Sequence, residues 1–160
     1  MNETFKKHIT QTIKSIALRD LEEHGMINPF AIFGKQTDGV ISEFGMMALD
    51  LSSEAAEDFS IEILKHQLKE RNANFVLKVT EAWSMADTPA NIKDIYERYG
   101  SITDCPYRKE VLSIKVELDG KYWLVLGDLI RKGKTKTIGE LKFITGIGLA
   151  RTNNLLPMAA

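Results

Sequence analysis

From Asn74 to Met85, apolar and polar residues alternate with a period of two, the spacing of a strand that sends successive side chains to opposite faces. One row holds Phe75, Leu77, Val79, Glu81, Trp83 and Met85, and the other Val76, Lys78, Thr80, Ala82 and Ser84, so Glu81 interrupts an otherwise apolar row. Two more alternating runs, Arg108 to Leu118 and Lys121 to Arg131, flank Asp119-Gly120, a dipeptide suited to a type I′ hairpin because both turn residues need positive φ. A two-residue loop fixes the register. Leu118 then faces Lys121, Val116 faces Trp123, Ile114 faces Val125, Leu112 faces Gly127, Glu110 faces Leu129 and Arg108 faces Arg131. Pairing the Trp83 strand antiparallel to Arg108–Leu118, with apolar faces matched, gathers Glu81, Trp83, Arg108, Glu110 and Arg131 at one end of the sheet.

The remaining pattern is helical or hairpin-like. Phe5, Ile9, Ile13, Ile16, Ala17 and Leu21 recur at helical spacing between Thr4 and His24, and Gly25 is a stop. Ile27 to Gly34 and Val40 to Met46 read as strands around the turn signal Thr37-Asp38-Gly39. Ser52 or Ser53 caps a second helix to about Arg71, with Phe59, Ile63 and Leu64 expected on its buried stripe. Thr88-Pro89 opens a short helix ending at Gly100, inside an excursion from Met85 to Tyr107 expected to roof the charged sheet end.

The predicted order is α-β-β-α-β-β-β, an α+β fold with one mostly antiparallel five-stranded sheet and helices packed on it. This element order resembles the profilin and roadblock architecture, which hosts many unrelated functions. A single domain over residues 1–160 is expected, with 136–160 open to forming a small C-terminal helical appendage. On the second face of the last hairpin, Val111, Tyr122, Leu124, Leu126 and Ile130 are too apolar for open water. Either the first helix or a second copy should cover them, which makes a homo-oligomer the expected assembly.

Composition narrows this further. With 160 residues and 44% hydrophobic content, the chain supports one core. Twenty-one basic and 22 acidic residues give a net charge of −1, so no overall field draws it to nucleic acid or an anionic membrane. The lone cysteine, Cys105, excludes an internal disulfide and suits a reducing compartment. No apolar run has the length of a signal peptide core or a membrane span, so a cytoplasmic protein without a membrane partner is expected. His8, His24 and His66 show no metal-ligand spacing, and no metal or cofactor is expected. Cys105 as a nucleophile would need a base that the sequence does not place beside it.

The charge cluster has two readings. As architecture, it is an Arg and Glu network that satisfies its own hydrogen bonds. As a site, Glu81, Trp83, Arg108, Glu110 and Arg131 bind a ligand, with Glu81 or Glu110 as a candidate general base and Arg108 and Arg131 holding an anion. Trp83 and Trp123 read as core aromatics before they read as a stacking platform.

Two further stretches carry resemblances. Thr137 to Leu156, with Gly146, Ile147 and Gly148 at a turn, Leu141 and Ile144 before it and Leu155 and Leu156 after it, resembles a helix-hairpin-helix element. That resemblance implies backbone contact with a nucleic-acid phosphate, aided by Lys134, Lys136 and Arg151 among nearby basic residues. Thr152 and Pro157 depart from the pattern. Gly127 to Thr135 fails the P-loop spacing by one residue. The set Glu81-Ala-Trp83, Arg108-Lys-Glu110-Val-Leu and Ile130-Arg131 is similar to a pattern in small bacterial and phage proteins, and this implies a shared feature without an activity.

The expectation is therefore a binding or assembly protein that uses the charged sheet end on a protein or an anionic small molecule. The alternatives are a nucleic-acid-binding accessory protein and a small hydrolase or isomerase with a glutamate base.

Overall fold

In a computed structural model, the protein is described over residues 1–84, 97, 98, 100, 108–145 and 155. The elements are α1 (Glu3–His24), β1 (Phe30–Thr37), β2 (Val40–Ala48), α2 (Glu54–Glu70), β3 (Phe75–Ser84), β4 (Lys109–Leu118), β5 (Lys121–Lys132), β6 (Thr135–Ile138) and β7 (Lys142–Thr145). The α+β class and the order through β5 are those expected. The sheet has seven strands instead of five, in the order β2-β1-β3-β4-β5-β6, with β7 also paired to β5. Every pairing is antiparallel.

The turns and caps follow local chemistry. Asp119 and Gly120 have φ of 53° and 70°, and the hairpin runs in the anticipated register from Leu118↔Lys121 to Val111↔Asp128. Asn2 caps α1 by accepting hydrogen bonds from the Thr4 and Phe5 N–H groups. Its side-chain amide also donates to the Asp38 carbonyl at 3.1 Å, fastening the helix start to the β1–β2 turn. At the other end, Gly25 adopts φ of 73° and its N–H returns to the Leu21 carbonyl.

The sheet is covered on both faces. On the first face, Phe5, Ile9, Ile13, Ala17 and Leu21 of α1 pack on Phe75, Leu77, Val79, Leu112, Ile114, Val116, Trp123 and Val125. On the second, Ile61, Leu64 and Leu68 of α2 pack on Ala31, Phe33 and Val76. The expected stripe of α2 is corrected: Phe59 is 68% exposed and Ile63 38%, whereas Ile61, Leu64 and Leu68 are buried. Positions 61, 64 and 68 share a face at three- and four-residue spacing, and that face is the one turned to the sheet.

The C-terminal region differs most from expectation. Lys142 to Thr145 pairs with Trp123 to Leu126 as a strand, where a helix around Leu141 and Ile144 was anticipated. The Lys132–Lys134 basic stretch forms a tight turn, and the chain doubles back so that β6 and then β7 occupy successive lengths of the β5 edge. Leu155, buried at 6% exposure, packs in the second-face cluster, and its N–H is accepted by Glu117 Oε2 at 2.9 Å. Gly146, Gly148, Arg151, Cys105 and most of the anticipated roof from Met85 to Tyr107 lie outside the described residues.

Candidate functional site

Strand pairing brings the anticipated charges to one end of the sheet. Trp83 lies opposite Glu110, Ser84 opposite Lys109 and Glu81 opposite Leu112. The side chains then take separate tasks. Glu81 Oε1 accepts the Ile27 backbone N–H at 2.8 Å, so this carboxylate holds the α1–β1 connection. The Arg108 guanidinium lies over the Trp83 ring, 4.4 Å from its centre. Glu110 accepts Arg131 at 2.9 Å through one carboxylate oxygen, and Lys136 lies 3.2 Å from the other.

Glu110 is the electrostatic centre of this set. Burial pushes its carboxyl up, but hydrogen bonds and charge from Arg131 and Lys136 outweigh that and hold it below the usual carboxylate range. A general base working near neutrality is tuned the opposite way. Lys136 keeps only 12% of its side chain exposed while it serves Glu110, and Lys134 sits in the exposed β5–β6 turn.

A cavity of about 480 Å³ opens on the second face at the same sheet end. Val111, Leu126, Ile130 and Ile144 supply its apolar floor, and Lys109, Asp128, Glu140 and Lys142 its charged walls. The floor comes from residues that alternate outward on β4 and β5, and β7 extends it because Lys142 and Ile144 stand opposite Leu126 and Leu124. Ile130 remains 44% exposed and Ile144 36%. Lys109 lies 3.9 Å from Asp128, whereas Lys142 has no ion-pair partner among the described residues.

Nearer the sheet centre, the second face carries a further charge cluster. Lys78 is directly opposite Lys115, and Val76 is opposite Glu117. Desolvation first, and then the Lys115 charge, push the Lys78 amine down to about 8 against the opposing pull of Glu57 and Glu117.

Sequence reasoning found Glu81, Trp83, Arg108, Glu110 and Arg131 but missed Lys136 as a partner of Glu110, and it missed the cavity. The available signal was the alternation Lys142-Phe143-Ile144-Thr145, which has a strand period. Reading Leu141 and Ile144 at helical spacing concealed it. Among the described residues, no cluster of His, Cys, Asp or Glu could hold a metal ion, and no helix is long and apolar enough to cross a membrane. No family model, curated protein or solved structure matches the chain.

Proposed function

We propose that the protein is a non-catalytic binding protein whose ligand is an anionic molecule with an apolar body, held in the second-face cavity beside the charged sheet end. The observation that carries this reading is the pairing of an exposed aliphatic floor, Ile130 and Ile144, with the Lys142 ammonium at its rim, which has no ion-pair partner among the described residues. The aliphatic floor favours burial of a hydrocarbon or aryl body, and the Lys142 ammonium, which shares the cavity wall with the Glu140 carboxylate, is the group that meets an anionic head. Binding is preferred to catalysis because Glu81 is committed to a backbone N–H and Glu110 to two cations. The Glu110–Arg131–Lys136 network and the Arg108–Trp83 stack then act as the frame of the site.

The test is a titration of aliphatic and aryl monocarboxylates of graded size, followed by methyl resonances of Val111, Leu126, Ile130 and Ile144. Saturable shifts that strengthen with apolar size and vanish with the matching methyl esters are expected, and Lys142→Glu should weaken binding at least ~10-fold. Absence of saturable shifts at millimolar ligand, or equal binding of acid and ester, overturns the reading.

A further inference from the structure

The outer edge of β2 is unpaired among the described residues, and its nine residues present Val40, Phe44 and Met46 at 58%, 46% and 56% exposure. Long apolar edges template pairing with another strand, and β2 holds only one charge, Glu43. The hydrogen-bond direction along β2 can be read from its neighbours. Leu49 N–H donates to the Pro29 carbonyl at 2.9 Å, so position 49 faces β1. Because successive residues of an antiparallel strand point their backbone groups to opposite sides, 47, 45 and 43 also face β1, and Phe44, Met46 and Ala48 direct N–H and C=O outward. The β1–β3 side agrees, since Gly34, opposite Phe44, turns its carbonyl away from β2 to accept Asn74 N–H at 2.8 Å.

We propose that two copies of the chain join edge to edge through β2, antiparallel, with Gly45 on the two-fold axis and Phe44 of each copy opposite Met46 of the other. Outward residues must meet outward residues, and the axes that do so while keeping both Phe44 and Met46 opposite residues of the stretch 42–48 run through residue 44, 45 or 46. An axis at Phe44 sets Met46 against Ser42, beside the bulge where β1–β2 pairing shifts at Lys35/Gln36. An axis at Met46 sets Phe44 against Ala48 and recovers little of its area. Only the axis at Gly45 covers both exposed side chains with each other, twice per dimer, as an aromatic–thioether pair.

The electrostatics fit the same register. Glu43 meets Met47 of the second copy and not another carboxylate. Arg71, whose guanidinium stacks on Phe33 and lies near Gly45, comes within diagonal reach of Glu43 of the second copy. The cavity on β4, β5 and β7 is remote from β2 in the strand order, so each copy keeps its own site open.

The first test is molar mass by light scattering and sedimentation over a wide concentration range. A species of twice the 18.0 kDa chain mass is expected at high concentration. Met46→Lys, on a side chain already exposed, should raise the dissociation constant by about 30-fold while leaving the monomer folded by circular dichroism. Register is read by disulfide trapping in chains that also carry Cys105→Ser. A mixture of Phe44→Cys and Met46→Cys chains is expected to cross-link, and neither alone. Cross-linking of Phe44→Cys alone or of Met46→Cys alone overturns the register. A monomer at all concentrations, or a dimer indifferent to Met46→Lys, overturns the proposal.

Discussion

Glu81 Oε1 accepts the backbone N–H of Ile27 at 2.8 Å, across 54 residues of chain. Ile27 is 1% exposed and belongs to the α1-side core, so this single bond satisfies an amide where the chain leaves α1 for β1. The charge that interrupts the apolar row of β3 therefore has a local structural task. Glu81→Ala leaves that donor unpaired and is expected to cost about 1–3 kcal/mol in urea denaturation. Glu81→Gln keeps an acceptor and should cost less. Equal stability of the alanine variant and the parent would show that water replaces the carboxylate without loss.

The Glu110 network makes stability depend on acid. Its carboxyl titrates below the usual 4.5 in the folded chain, so the folded state binds fewer protons than the unfolded chain in that window. The associated stability is fully present above the ordinary glutamate range and is lost as pH falls through the lowered folded value. Because Arg131 is 64% exposed, solvent screening keeps the contribution under about 1 kcal/mol. Glu110→Gln should lower stability by up to that amount above pH 6, measured at low salt, and the difference from the parent should vanish as pH falls through the lowered folded value.

The Lys78 charge opposes folding, where that of Glu110 supports it. The amine's folded value of about 8 lies below the ordinary 10.5, so protonation at neutral pH opposes folding and stability rises as pH climbs from about 8 toward 10.5. Lys78→Met keeps the stem and removes the charge, and is expected to add about 1–2 kcal/mol at pH 7 after allowance for solvent screening. The gain should shrink above pH 9. An acylating reagent at pH 8, with sites mapped by mass spectrometry, should label Lys78 ahead of exposed lysines once accessibility is normalised.

The orientation of α2 separates two substitutions on one helix. Leu64 is 0% exposed, and Leu64→Ala is expected to cost about 2–5 kcal/mol. Phe59 is 68% exposed, and Phe59→Ser should change stability by less than about 1 kcal/mol. Thermal melts of both variants check this directly, and a comparable loss in each would contradict the observed face.

Much of the fold and half of the site were legible because short-range rules dictate them. A period of two placed Glu81 and Trp83 on one face of β3, Asp119-Gly120 fixed the hairpin register, and matching apolar faces carried Glu81 and Trp83 to the Glu110 end. The pairings Trp83↔Glu110 and Leu118↔Lys121 are the outcome. What each charge does at that end was not legible. Glu81 reaches a backbone N–H 54 residues away, and Glu110 takes Lys136 from β6, a strand on the far edge of β5 that the sequence reading did not anticipate. On α2 the reading from spacing chose Phe59, Ile63 and Leu64 as the stripe, whereas Ile61, Leu64 and Leu68, which share helical spacing equally well, are the residues buried. Only the tertiary structure decided which face meets β1 and β3. The sequence determined pattern, register and the gathering of charge; packing decided burial and partnership, because both depend on surfaces contributed by distant parts of the chain.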